Sequence, residues 1–359
     1  MRLDRMGSKG VGLALGAALL FGASAPVAKG LLHAVSPQLL AGLLYLGSGT
    51  GLLLLWLARG RLTSSARGRV GEASLGRKDL PWLAGAILAG GMLGPLLLMV
   101  GLGRTPASAA SLMLNLEGVL TAFLAWVVFR EHVHRRIALG MAAIVAGGVL
   151  LSWEGHLAWG GLTGPLAVAG ACLAWAVDNN LTQRISGSDP VQIAMLKGLA
   201  AGATNTAIAL GLGARWPSGS VLAAAAAVGF IGYGVSLVLY VRALRELGTA
   251  RTGAYFSLAP FIGAVLGLLL WREPATLGFL AAGALMGLGL WLHLTERHAH
   301  GHTHEALEHA HAHVHDVHHQ HAHGPDDPPG EPHTHPHRHE PLTHHHPHYP
   351  DIHHRHSHP

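Results

Sequence analysis

The run LEGVLTAFLAWVVFRE, from Leu116 to Glu131, is echoed 142 residues later by LAPFIGAVLGLLLWRE, from Leu258 to Glu273. Each opens on Leu and closes on an aromatic residue followed by Arg-Glu. Within each, apolar residues lie on every side, the pattern of a helix that faces lipid or other helices rather than water. Outward from this pair, the chain resolves into ten apolar stretches, at roughly 10–32, 37–58, 80–102, 106–129, 137–153, 163–184, 191–213, 219–241, 250–271 and 275–295. A bilayer span needs about 20 apolar residues at 1.5 Å rise each. The fold class expected is therefore an all-α polytopic membrane protein with ten transmembrane helices.

The repeat organises those ten. Each copy holds five spans, and an odd number makes the second copy enter the bilayer from the opposite face. Two inverted five-helix repeats are a recurring plan of secondary transporters, whose substrate sites lie near the midplane between the halves. The expected organisation is an N-terminal segment at 1–9, a first repeat at 10–153, a second at 163–295 and a tail at 297–359. The run from Gly10 to Leu32 is too long for the apolar core of a cleaved signal peptide, and the next span follows within a few residues.

Composition agrees. Half of the 359 residues are hydrophobic, and the 12% that are charged gather outside the apolar stretches. The 49 glycines suit close helix packing in lipid. One cysteine, Cys172, rules out an intramolecular disulfide or a cysteine-based metal cluster. The net charge of +5 sits in short loops, so no nucleic-acid partner is implied. With the N-terminus inside, the cytoplasmic segments carry 17 Lys and Arg, and the opposite side carries three, Arg104, Arg215 and Arg272. By the positive-inside rule both termini are cytoplasmic, and the expected location is a multi-pass protein of the cell inner membrane.

The chain resembles the drug/metabolite transporter superfamily, and within it the bacterial EamA-type permeases. The residues that carry the resemblance are LLFGASAPVAK (Leu19–Lys29), SAASLMLNLE (Ser108–Glu117) leading to Arg130-Glu131, AWAVD (Ala174–Asp178), and Leu258-Ala-Pro260 leading to Arg272-Glu273. It covers 10–295 and leaves out the tail. The family pattern has proline after the glutamate of span four; this chain has Gly118 there and keeps Pro260 in the second copy. The resemblance implies ten helices in two inverted repeats and transport without nucleotide hydrolysis. Family membership does not name a substrate.

Ionisable residues are few inside the spans. A charge at that depth costs at least a few kcal/mol, so each should face the bundle interior or water. Glu117, near the middle of span four, is a candidate to bind a cation or carry a coupling proton, and the plain alternative is a carboxyl bonded to a neighbouring helix. Asn115 lies two residues before it. Asp178, with Asn179 and Asn180, lies in span six, and Lys197 in span seven. Asp178 is six residues before the cytoplasmic end of its span and Lys197 six residues after the start of the next, so they should pair at equal depth. These six residues are the substrate-path candidates. Lys29 is expected to snorkel to the interface. Tyr233, Tyr240, Tyr255, Asn205 and the membrane methionines are expected to pack.

The tail holds 24 of the 29 histidines, mostly in alternation. Its candidate metal ligands are His298, His300, His302 and His304; His309, His311, His313 and His315; His318, His319, His321 and His323; His333, His335, His337 and His339; and His344, His345, His346 and His348. With few large apolar residues and recurring prolines, the tail is expected to be disordered. Neutral imidazole suits Ni²⁺, Zn²⁺ or Co²⁺. No cofactor is expected to be required. The longest histidine run is three, unlike an expression tag.

These features lead to a secondary transporter with a metal-binding tail, exporting divalent transition metals or regulated by them. Two alternatives stand beside it: a transporter of a small organic metabolite or drug with a merely regulatory tail, and a membrane-anchored metal buffer or sensor. No nucleotide loop or nucleophile–base set points to an enzyme. The partners implied are the lipid bilayer and a small-molecule or metal-ion substrate, and a homodimer is left open.

Overall fold

The computed structural model describes residues 2–63, 75–129, 135–152, 162–185, 188–247, 249–295, 299–304, 307–313, 333–339 and 342–347. Helices fill it up to residue 295. They are α1 (Arg2–Leu31), α2 (Pro37–Thr63), α3 (Leu80–Ala86), α4 (Gly94–Leu102), α5 (Ala107–Met113), α6 (Leu116–Phe129) and α7 (Arg135–Ser152). There follow α8 (Thr163–Gln183), α9 (Pro190–Gly211), α10 (Gly219–Val228), α11 (Ser236–Leu247), α12 (Thr249–Phe256), α13 (Ala259–Trp271) and α14 (Leu277–Leu294). A π segment, Ile87–Leu93, joins α3 to α4, and another, Gly229–Val235, joins α10 to α11.

Among the described residues, eight helical stretches are long and apolar enough to cross a membrane, where the sequence leads to ten. The two that fall short have local reasons. Helix α8 carries Asp178, Asn179 and Asn180, which lower its hydropathy. The other stretch is represented only by Ala259–Trp271, a shorter apolar helix.

Two helix breaks correspond. Helices α5 and α6 part at Leu114–Asn115, and α12 and α13 part at Ser257–Leu258. The second break is followed by Pro260 in the first turn of α13, where the missing N–H is no loss. The first lacks a proline, and Asn115 does the work instead: its Nδ2 donates to the Leu112 carbonyl at 2.8 Å, satisfying backbone at the break. The π segments correspond too, the second starting and ending 142 residues after the first.

Small residues let the helices approach. Gly49 and Gly202 of α2 and α9 lie against backbone of the facing helix, at Leu199 and Leu46, and Gly140 of α7 faces Gly289 of α14. A Cβ at any of these would meet main chain, so each glycine is fixed by packing. Leu39, Leu40, Leu44, Leu98, Met99 and Val168 are fully or almost fully buried between α2, α4 and α8. Leu54, Leu139, Leu166, Leu269 and Leu277 are exposed, as lipid-facing positions of a polytopic membrane protein are.

In the tail the described residues form four short strands. Strand β1 (Ala299–His304) pairs antiparallel with β4 (Leu342–Pro347), and β2 (Leu307–His313) with β3 (His333–His339). The alternation read as a mark of a wrapping chain is also the period of a strand, and Thr and Leu within it favour pairing.

Candidate functional site

The polar residues of α6, α8 and α9 meet around the first π segment. Lys197 Nζ donates to Asp178 Oδ1 at 2.6 Å and Oδ2 at 2.5 Å, so the pair expected from equal depth is present. Both side chains are largely buried, and Thr182 Oγ1 adds a third donor to Asp178 Oδ1 at 2.9 Å. Asp178 lies directly against Gly90, at a point where a Cβ would overlap its carboxylate. The π turn there presents the Gly90 carbonyl sideways, and it accepts from Trp175 Nε1 at 2.9 Å and from the Tyr45 hydroxyl at 3.0 Å. A π turn breaks the i→i+4 ladder, which is why such segments recur at functional sites. Asn205 Nδ2 donates to the Met92 carbonyl of the same segment at 3.3 Å, so Asn205 does more than pack.

Glu117 sits beside this group. Asn179 Nδ2 donates to its Oε1 at 2.9 Å and lies 3.3 Å from Thr121 Oγ1. Thr121 Oγ1 in turn donates to the Glu117 carbonyl at 2.8 Å. Among the described residues, Asn179 is the one side chain that bonds the Glu117 carboxyl. The ammonium of Lys197 balances one carboxylate of the group, Asp178, and Glu117 has no cationic partner among the described residues.

Four of the six candidates, Glu117, Asp178, Asn179 and Lys197, therefore join one cluster. Asn180 lies buried next to it, with Nδ2 donating to the Ala176 carbonyl at 2.8 Å and the Thr121 carbonyl at 3.4 Å. Asn115 is turned away and is spent on the helix break. Sequence reasoning missed Tyr45, Trp175, Gly90 and Thr121; an aromatic or glycine in an apolar span carries no signal until a carbonyl is seen to face it. Aromatic rings continue from Tyr45 to Tyr233 at 5.7 Å, Phe21 at 5.8 Å from Tyr233, and Phe256 at 5.4 Å from Phe21.

A second polar group closes one end of the molecule. Glu273 Oε1 accepts the Ala107 N–H at 2.7 Å and Oε2 the Ser108 N–H at 2.9 Å, at the start of α5. Lys29 Nζ donates to the Thr105 carbonyl at 2.7 Å and lies 3.5 Å from Glu273 Oε1. Lys29 does not snorkel: it is tied to two other segments, because their oxygens lie within reach and a bond to them replaces water at that depth. Burial pushes the Glu273 carboxyl up, but the donors at Ser108 and Ala107 and the Lys29 charge outweigh it and hold its pKa below the usual value.

Of the tail candidates, His300, His302, His304, His309, His311, His313, His333, His335, His337, His339, His344, His345 and His346 lie on the four strands. His298, His315, His318, His319, His321, His323 and His348 lie outside the described residues. Among the described residues, no three His, Cys, Asp or Glu side chains gather as a metal would need.

Comparison with known proteins is consistent with this architecture. The model of the EamA-like transporter family matches the chain twice, over residues 8–153 and 162–295. An uncharacterized transporter of Methanothermobacter thermautotrophicus is 29% identical over 286 residues, covering 77% of this chain and 83% of that one. A solved crystal structure is similar at a TM-score of 0.57 and 21% identity, over 79% of this chain and 95% of that chain, which speaks for the fold alone. With two successive matches accounting for nearly everything before the tail, this multi-pass membrane protein belongs to the EamA-like transporter family.

Proposed function

We propose that the chain is a secondary transporter of a small organic metabolite or drug, built from two inverted five-span repeats, with both termini on the cytoplasmic side of the cell inner membrane. The observation that carries the reading is the cluster of Glu117, Asp178, Asn179 and Lys197 around the first π segment. It offers one neutralised ion pair, one further carboxyl and carboxamides, a set that hydrogen-bonds a polar organic molecule and holds a coupling proton. Metal ions as cargo would call for converging imidazole, thiolate or carboxylate ligands instead.

Two observations support the repeat. The π segments recur at an offset of 142 residues, and the breaks of the split helices at 143. The packing is exchanged: α1 lies against α11 and α13, while α8 lies against α4 and α6. On this reading α8 and the α12–α13 stretch also cross, making ten spans. The 17-to-3 bias in basic residues sets the orientation. A reporter active on one side of the membrane, fused after Leu294, tests it; an external signal there overturns it.

The tail is read as a metal-responsive regulator. Its register sets His309 opposite His337, His311 opposite His335, His313 opposite His333, His300 opposite His346 and His302 opposite His344. Directly opposed residues are about 4.5–5.5 Å apart, close enough to share an ion.

The test is transport by the purified full chain in proteoliposomes, across a panel of organic solutes and divalent metals, beside a chain ending at 295. Gradient-driven movement of an organic solute that survives tail removal, with its metal response lost, is the expected result. Metal movement with no organic solute carried overturns the choice of cargo. Loss of all activity with the tail makes the protein a metal buffer or sensor.

A further inference from the structure

The two ends of the bundle are not alike. At the end marked by Thr105 and Glu273, α5 is seated on α13. Gly263 lies against the Ser111 side chain and the Gly22 carbonyl, and Gly267 lies against the backbone of Ala107 and Ser108. Pro26 leaves the Gly22 carbonyl without its helical donor, which frees that oxygen for the contact. Trp271 Nε1 donates to the Pro26 carbonyl at 3.0 Å, and Glu273 and Lys29 lock the start of α5. Arg272, with φ at 50°, turns the chain in the left-handed sense that returns Glu273 to α5.

At the opposite end the corresponding positions carry different residues and do not form such a seam among the described residues. Shifting by 142 residues carries Ser111 onto Gly253 and Thr121 onto Gly263. The seam of Ser111 with Gly263 thus corresponds to one of Gly253 with Thr121, between α12 and α6. Yet a Cβ at Gly253 would meet nothing within 4 Å. Among the described residues, α6 and α12 make no packing comparable to that of α5 on α13. Thr121 remains with α8, through Asn179 and Asn180.

We infer that Gly253 is the seat on which α6 closes at Thr121 when the transporter turns to its other face, as Gly263 is the seat of α5 in the state seen here, and that Glu273 is the latch that holds this state. The inference rests on the proposed inverted repeat and orientation, which make the Glu273 end external and the Gly253 end cytoplasmic. Opening one seam while closing the other exposes the Glu117 cluster to each side in turn. Among the described residues a Cβ at Gly253 would meet nothing in the present state; the absence of a side chain there matters in the state where α6 closes on it.

Cross-linking in the full chain tests this without knowing the substrate. With Cys172 replaced by Ser, the pair Thr121→Cys and Thr249→Cys, one helical turn from the glycine seat, is oxidised in membranes. The expected result is a cross-link in part of the population that rises on the order of threefold when Glu273→Gln is added, because loss of the latch shifts the two-state balance. Gly253→Leu should leave the amount and melting temperature of the protein unchanged and lower substrate exchange on the order of tenfold or more. No cross-link with or without Glu273→Gln, or full exchange by Gly253→Leu, overturns the inference. A cross-link in a protein that exchanges no solute would spare the seam and sink the proposed transport function.

Discussion

Helices α1 and α8 open the two family-matching halves, yet their chemistry differs. Between Gly10 and Ala28, α1 carries no charged residue; α8 carries Asp178, Asn179 and Asn180 in its C-terminal third. Both pack in reciprocal fashion, α1 on the second half and α8 on the first. Packing needs only small apolar surfaces, so it has been kept in both copies. The ion pair lies on the second half alone, with Asp178 on α8 and Lys197 on α9, while Glu117 of α6 and the first π segment come from the first half.

The largest expected effect breaks that asymmetry. Asp178→Asn or Lys197→Met strands the other buried charge, at a cost of about 3–5 kcal/mol. The double substitution should cost less than either single one, and melting of the four proteins in detergent completes the cycle. Strictly additive losses would show that the pair is not coupled.

The next effect is steric. A side chain at Gly90 overlaps Asp178, so Gly90→Val should cost about 1–3 kcal/mol and displace the pair. At Gly118, with open space within 4 Å, Gly118→Ala should stabilise the helix by up to about 1 kcal/mol. Equal melting of the two variants would remove Gly90 from the cluster.

The smallest effect lies at the latch. The folded-state pKa of Glu273 is lowered, so its contribution is present above the ordinary carboxylate value and is lost as pH falls through the lowered one. The melting advantage of the wild type over Glu273→Gln should hold at neutral pH and decline only on acidification below the ordinary value of 4.5. A decline that begins near neutrality would assign it to another group.

Much of this was legible in the sequence. Apolar length gave most spans, and equal depth on successive helices paired Asp178 with Lys197, because both rules depend only on rise per residue. What could not be read depends on contacts distant along the chain. Lys29 meets Glu273 across 244 residues. The π segments add no composition signal, so the Gly90 carbonyl and its donors Tyr45 and Trp175 were invisible. Asn115 looked like Glu117's companion and is instead a backbone partner at a helix break.

The proposed function brings the solute and its coupling ion together at the cluster beside Glu117, and pH-gradient-driven uptake and solute exchange at equal pH by Glu117→Gln in proteoliposomes test this. Gradient-driven uptake is expected to disappear while exchange persists, since the carboxamide still bonds Asn179 but cannot give up a proton. Gradient-driven uptake at the wild-type rate would contradict it.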